Sequence, residues 1–101
     1  MRNPKPRQPA LQAEFKLKWR VGGDVAARIV KIAARFESAI EVESAGTRVN
    51  AKDVRYWLLI APYEKGTAGE TGLKAGQRIK LYIRGADAPA AMAALKGFFA
   101  K

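Results

Sequence analysis

The sequence predicts an α+β domain: an antiparallel sheet with helices packed on one face. Three observations predict it. Apolar and polar residues alternate over residues 11–20 and again over 78–84, the period of a half-buried strand. Apolar residues fall at helical spacing in Val25, Ile29, Ile32, Ala33 and Phe36, and again in Ala91, Ala94, Leu95, Phe98 and Phe99. Strands with one polar face and helices with one apolar stripe bury both only by packing as two layers.

The elements follow in order. Residues 1–10 carry Arg2, Lys5 and Arg7 among Pro4, Pro6 and Pro9. Proline removes a donor and blocks helix, so a flexible basic arm is expected, either a plain tail or one that seeks anions. Residues 11–101 then form one domain, since 101 residues leave no room for two. In the first strand Ala13, Phe15, Leu17 and Trp19 face one way, and Glu14, Lys16, Lys18 and Arg20 the other. Gly22 and Gly23 end it, and Asp24 is expected to cap the first helix, with Arg28, Lys31 and Arg35 on its polar side. Ile40 and Val42 alternate with Glu41 and Glu43 in a second strand, Ala45-Gly46 signals a tight turn, and residues 47–50 return as a third. Asp53 is expected to cap a short second helix carrying Val54, Trp57 and Leu58 on one side. Residues 61–72, with Pro62, Gly66, Gly69 and Gly72, read as an irregular loop. It lacks the Gly-Lys-Ser/Thr ending of a phosphate loop, which leaves a surface loop or a contact with a partner. Residues 78–84 form the fourth strand, and Asp87 with Pro89 just inside starts the last helix. The order is β-α-β-β-α-β-α, with no internal repeat.

Composition narrows the function. Nineteen Lys and Arg against nine Asp and Glu give a formal charge of +10. That charge favours an anionic partner, or else a merely solvated surface. There is no cysteine, which removes disulfides, thiolate nucleophiles and Cys-held metals. There is no histidine, which removes the commonest general base and transition-metal ligand. No catalytic pair of the usual kinds stands out, so a non-enzymatic domain without metal or cofactor is expected. No apolar run approaches a membrane span, and the N-terminus lacks the apolar region of a secretory signal. The expectation is a cytoplasmic protein without membrane insertion.

Several stretches carry a likeness. Residues 28–38 (RIVKIAARFES), Val49-Asn50-Ala51-Lys52, residues 76–83, Gly85-Ala86-Asp87, Ala93-Ala94-Leu95 and Phe98-Phe99 occur in one order and spacing. Together they resemble HPr, the phosphocarrier of the bacterial sugar phosphotransferase system, over about residues 15–99. The resemblance implies an open-faced β-sandwich with sheet order 1-4-2-3 and three helices on one face. It also implies that the first two helices dock protein partners.

The segment that carries the family's chemistry departs from the pattern. The family has Gly-Leu-His-Ala-Arg-Pro there, and its histidine accepts phosphate from enzyme I. Aligned without gaps, the histidine falls on Gly22, the arginine on Asp24 and the proline on Val25. A chain with this segment is expected to be unable to carry phosphohistidine. The family's regulatory serine falls on Asp53, an ordinary cap or a partial, permanent mimic of phosphoserine. Asp24 as an aspartyl-phosphate acceptor is disfavoured, because no carboxylate cluster stands beside it.

With sheet order 1-4-2-3 the first and fourth strands are neighbours. Lys16, Lys18 and Arg20 would then share the open face with Arg78, Lys80 and Arg84 around Tyr82, as a candidate anion-binding set partly offset by Glu41 and Glu43. Two functions follow: a regulatory or protein-interaction module docking through the first two helices, or a binder of nucleic acid or another polyanion through the open face.

Overall fold

The structure, a computed structural model, describes residues 10–59 and 73–101. The expected basic arm and the loop over 61–72 therefore lie outside the described residues.

Seven elements run in the expected order: β1 (Leu11–Lys16), α1 (Gly23–Ala33), β2 (Ala39–Ser44), β3 (Thr47–Asn50), α2 (Val54–Leu59), β4 (Arg78–Arg84) and α3 (Ala88–Phe99). The four strands form one antiparallel sheet in the order β1-β4-β2-β3. This is the order the resemblance implied.

The alternation in β4 sets the two faces. Ile79, Leu81 and Ile83 are buried, while Arg78, Lys80, Tyr82 and Arg84 turn outward. Ile40 and Val42 of β2 join the buried layer, and Ala26, Ile29 and Ala33 of α1 close it with no exposed surface. α3 adds Ala88, Ala91, Met92, Leu95 and Phe99. Burying each large aliphatic side chain contributes about 1.5–3 kcal/mol, so these rows hold the two layers together. Trp57 fixes α2 in the same core: it is wholly buried, and its Nε1–H donates to the Ala51 carbonyl at 2.8 Å. That bond removes the cost of burying the indole N–H.

Two connections are set by backbone conformation. Ala45 and Gly46 both have positive φ (52° and 85°), as the type I′ turn of a two-residue hairpin requires. Gly85, at φ 148°, lets the chain leaving β4 pass directly against Ser38.

Two expectations need correction. β1 stops at Lys16, short of Arg20. Past it the chain turns to residues 73–77 instead of following β4: Leu17 donates to the Gln77 carbonyl, and Val21 to that of Leu73. The cap of α1 is Gly22, not Asp24, which lies in the first helical turn. Asp87 stands at the N-cap of α3 with Pro89 just inside, as expected, and its carboxylate is engaged across the fold.

Candidate functional site

The start of α1 is where the resemblance places its chemistry. Gly22 has extended backbone (φ −90°, ψ −168°), its carbonyl accepts from Ala26 N–H at 2.9 Å, and no side chain caps the helix. The Arg20 guanidinium lies close to the position a Gly22 side chain would take, with Nη1 3.2 Å from an ideal Cβ. Asp24 is exposed in the first turn, where a carboxylate is favoured by the helix dipole. Among the described residues no group of three or more His, Cys, Asp or Glu is placed to hold a metal ion, and the Asp24 carboxylate has no acidic cluster around it.

Asp53 caps α2 as the sequence indicates. Its Oδ1 accepts from Arg55 N–H at 2.9 Å. The Arg55 side chain also closes on it, Nε to Oδ1 at 3.1 Å and Nη2 to Oδ2 at 2.8 Å. This two-point pairing holds the Asp53 carboxyl below the usual carboxylate range and raises Arg55. The Asp53 carboxylate is thus shared with a cation two residues away. Arg55 is the residue the sequence reading missed, and its i+2 spacing from the cap was the available signal.

A second constellation joins the turn after α1 to the turn before α3. The Asp87 carboxylate accepts from the backbone N–H of Glu37 and of Ser38, both at 2.9 Å, and from the Ser38 hydroxyl. The Ser38 hydroxyl, followed by the Glu37 amide, holds the Asp87 carboxyl below its ordinary value. Ser38 is buried, and Gly85 touches it. These contacts are structural: they tie α1–β2 to β4–α3.

The open face separates the candidate anion-binding residues. Lys16, Arg78, Lys80 and Arg84 lie on it together. Lys18 does not: its Nζ donates to the Ala100 carbonyl at 2.8 Å, at the C-terminal end of α3, where free carbonyls and the dipole attract a cation. Arg20 lies beyond β1, beside Gly22. The sheet register then alternates charge. Glu14, Lys80, Glu43 and Arg48 stand in one row across β1, β4, β2 and β3. Arg48 pairs with Glu41 at 2.8 Å, and its guanidinium carbon lies 3.6 Å from the centre of the Tyr82 ring. The Tyr82 hydroxyl donates to Glu43, which raises the phenol above its ordinary range. Tyr82, at the centre of the candidate anion-binding set, therefore carries a cation on its ring and a carboxylate on its hydroxyl. Lys16 and Arg78 face each other in a row without a carboxylate.

Both the topology and the position of the segment before α1 define an HPr-like open-faced sandwich. No protein-family model matches the sequence. No curated protein matches it either. Solved structures do. The phosphocarrier protein HPr from Bacillus anthracis str. Ames is 27% identical over 89% of this chain and 96% of its own, with a TM-score of 0.73. HPr-C-His from Thermoanaerobacter tengcongensis is 27% identical over 91% of each chain, with a TM-score of 0.70. Crh, the catabolite repression containing protein of Bacillus subtilis, whose structure is a swapped dimer, is 26% identical over 98% of this chain and 93% of its own, with a TM-score of 0.54. The chain therefore has the HPr-like fold and is similar to these phosphocarrier proteins along most of its length. Among the described residues no helix is long and apolar enough to cross a membrane.

Proposed function

We propose that this chain is a non-enzymatic, regulatory protein-interaction module on the phosphocarrier scaffold, docking a protein through α1 and α2 without passing phosphate through histidine. One observation carries the reading: the start of α1 is kept in place, but the residue there is Gly22, in a chain with no histidine. Phosphoryl transfer at a helix N-terminus needs a nucleophile as well as the amides and dipole that steady the phosphate. Asp24 adds a negative charge where an incoming phosphoryl donor would approach. Cytoplasmic residence, and a basic arm over residues 1–10 ahead of a single domain, belong to the same reading. Incubation with enzyme I and labelled phosphoenolpyruvate tests it. The expected result is no acid-labile label, and stoichiometric labelling would overturn it.

The facing pair Lys16 and Arg78 favours a second reading, in which that end of the open face meets nucleic acid or another polyanion. A gel shift at rising salt tests it. Binding at low salt that Lys16→Glu with Arg78→Glu abolishes would support it, and its absence would exclude it.

A further inference from the structure

α1 and α3 leave a groove between them on the side away from the sheet. One hollow, of about 330 Å³, is lined by Ile32, Arg35, Ala93, Ala94, Gly97, Phe98 and Lys101. A second, of about 240 Å³, is lined by Trp19, Val25, Arg28, Phe98 and Lys101. The two share Phe98 and Lys101, so they lie side by side in one groove. Its apolar residues are only partly covered: Trp19, Val25, Ile32 and Phe98 pack on the core without being buried in it. Val25, Arg28 and Ile32 recur along α1 at helical spacing and Arg35 follows in the turn after it, which brings apolar floor and cationic rim together.

We infer that this groove binds an acidic amphipathic helix of a partner protein. Charge selects the occupant. Arg28, Arg35 and Lys101 line the groove, no acidic side chain does, and the ion pairs Arg48–Glu41 and Arg55–Asp53 lie elsewhere. A second copy of the chain would bring the same cations against them. The chain's own first residues, with Arg2, Lys5 and Arg7, would do likewise. Shape agrees. Ala93 and Gly97 are exposed one turn apart on α3, and nothing lies within 4 Å of where a Gly97 Cβ would be. Glycine inside a helix is less favourable than alanine, and no contact within the described residues requires it here. A partner helix seated between α1 and α3 would use that space, with apolar anchors at i, i+3, i+4 and i+7 and glutamates reaching the rim. Trp19 and Phe98, in edge-to-face contact at 5.4 Å, supply aromatic anchors at one end. This surface is separate from the α1–α2 face of the proposed function.

The test uses three synthetic helical peptides of equal length with a leucine stripe: one with glutamate, one with glutamine and one with lysine on the polar face. Binding is read by fluorescence anisotropy of the peptide and mapped by amide chemical shifts of the intact protein. The glutamate peptide is expected to bind at least tenfold more tightly than the lysine peptide, with shifts centred on Val25, Ile32, Ala93 and Gly97. Arg28→Glu with Arg35→Glu is expected to invert that preference, and Gly97→Leu to weaken the glutamate peptide at least tenfold while the fold, followed by circular dichroism, is retained. Equal binding of all three peptides, no binding, or shifts centred on α2 would overturn the inference. So would a dimer seen by sedimentation equilibrium that the double variant dissolves. None of these readings depends on phosphoryl labelling, so failure here is distinguishable from failure of the proposed function.

Discussion

Replacing Gly85 with alanine is expected to be among the most damaging single-methyl changes in the molecule. The added Cβ would meet Ser38: its Oγ, its Cα at 2.7 Å and its Cβ at 2.9 Å. Ser38 cannot step aside, because its amide and hydroxyl are both bound to Asp87. The backbone adds strain of its own, since φ of 148° is a region that side chains avoid. Backbone strain of this kind costs about 1–3 kcal/mol, and overpacking about 1–3 kcal/mol more. The total, roughly 2–6 kcal/mol, compares with about 5–15 kcal/mol for the whole stability of a typical domain. At about 4–8 °C per kcal/mol for a domain this small, the melting temperature falls by at least about 8 °C. Urea unfolding followed by the fluorescence of buried Trp57 measures it. Ser38→Gly in the same chain relieves the overlap with the serine side chain but leaves the overlap with the backbone of residue 38, so it recovers only part of the loss. A Gly85→Ala variant within about 1 kcal/mol of the parent would refute the reasoning, since strain and overlap together come to at least about 2 kcal/mol.

Ala45→Asn is expected to stabilise the hairpin by about 0.5–1 kcal/mol, because asparagine tolerates the positive φ that alanine resists; thermal unfolding reports it. Trp57→Phe keeps most of the apolar volume but loses the bond to Ala51, and is expected to cost about 1–3 kcal/mol in urea titration through the orphaned carbonyl and the space left behind. Asp53 and Asp87 both have folded-state pKa values below the ordinary 3.8. Their stabilisation is therefore full above the unfolded value and is lost as pH falls through the lower folded values. Stability measured from pH 5 down to pH 2 is expected to decline, with Asp87→Asn losing less than the parent over that window.

The fold was legible because its periodicities are clean. Ile79, Leu81 and Ile83 against Arg78, Lys80, Tyr82 and Arg84 leave no other face to bury, and Val25 to Phe36 admits only a helix. Sheet order came from the resemblance, since alternation says which face is buried but not which strand is the neighbour. The misread boundary at Lys16 has a physical cause: Leu17, Trp19 and Val21 keep facing inward after pairing with β4 has ended, so the pattern outlasts the strand. The cap of α1 was misplaced because Asp24 is the better capping residue, but Gly22 is where the backbone turns. The basic face was overestimated because local pattern does not report cross-strand register. Glu14 opposite Lys80, and Arg48 over Tyr82, exist only once the strands are aligned. Asp87 clamping Ser38 is likewise an interaction between residues 49 apart, beyond any local signal.

The bonds from Lys18 and Trp19 to the carbonyls of Ala100 and Lys101 join residues 82 apart in the chain. β1 also finds its partner in β4 rather than in either strand that follows it sooner. Such a fold closes late. Its first strand has no mate until β4 exists, and the aromatic cluster of Phe15, Trp19 and Trp57 is completed only by Phe99. Loop-closure entropy is therefore paid before these contacts return it, which slows folding relative to a bundle of equal size. During synthesis β1 waits, apolar side exposed, until β4 and α3 have emerged.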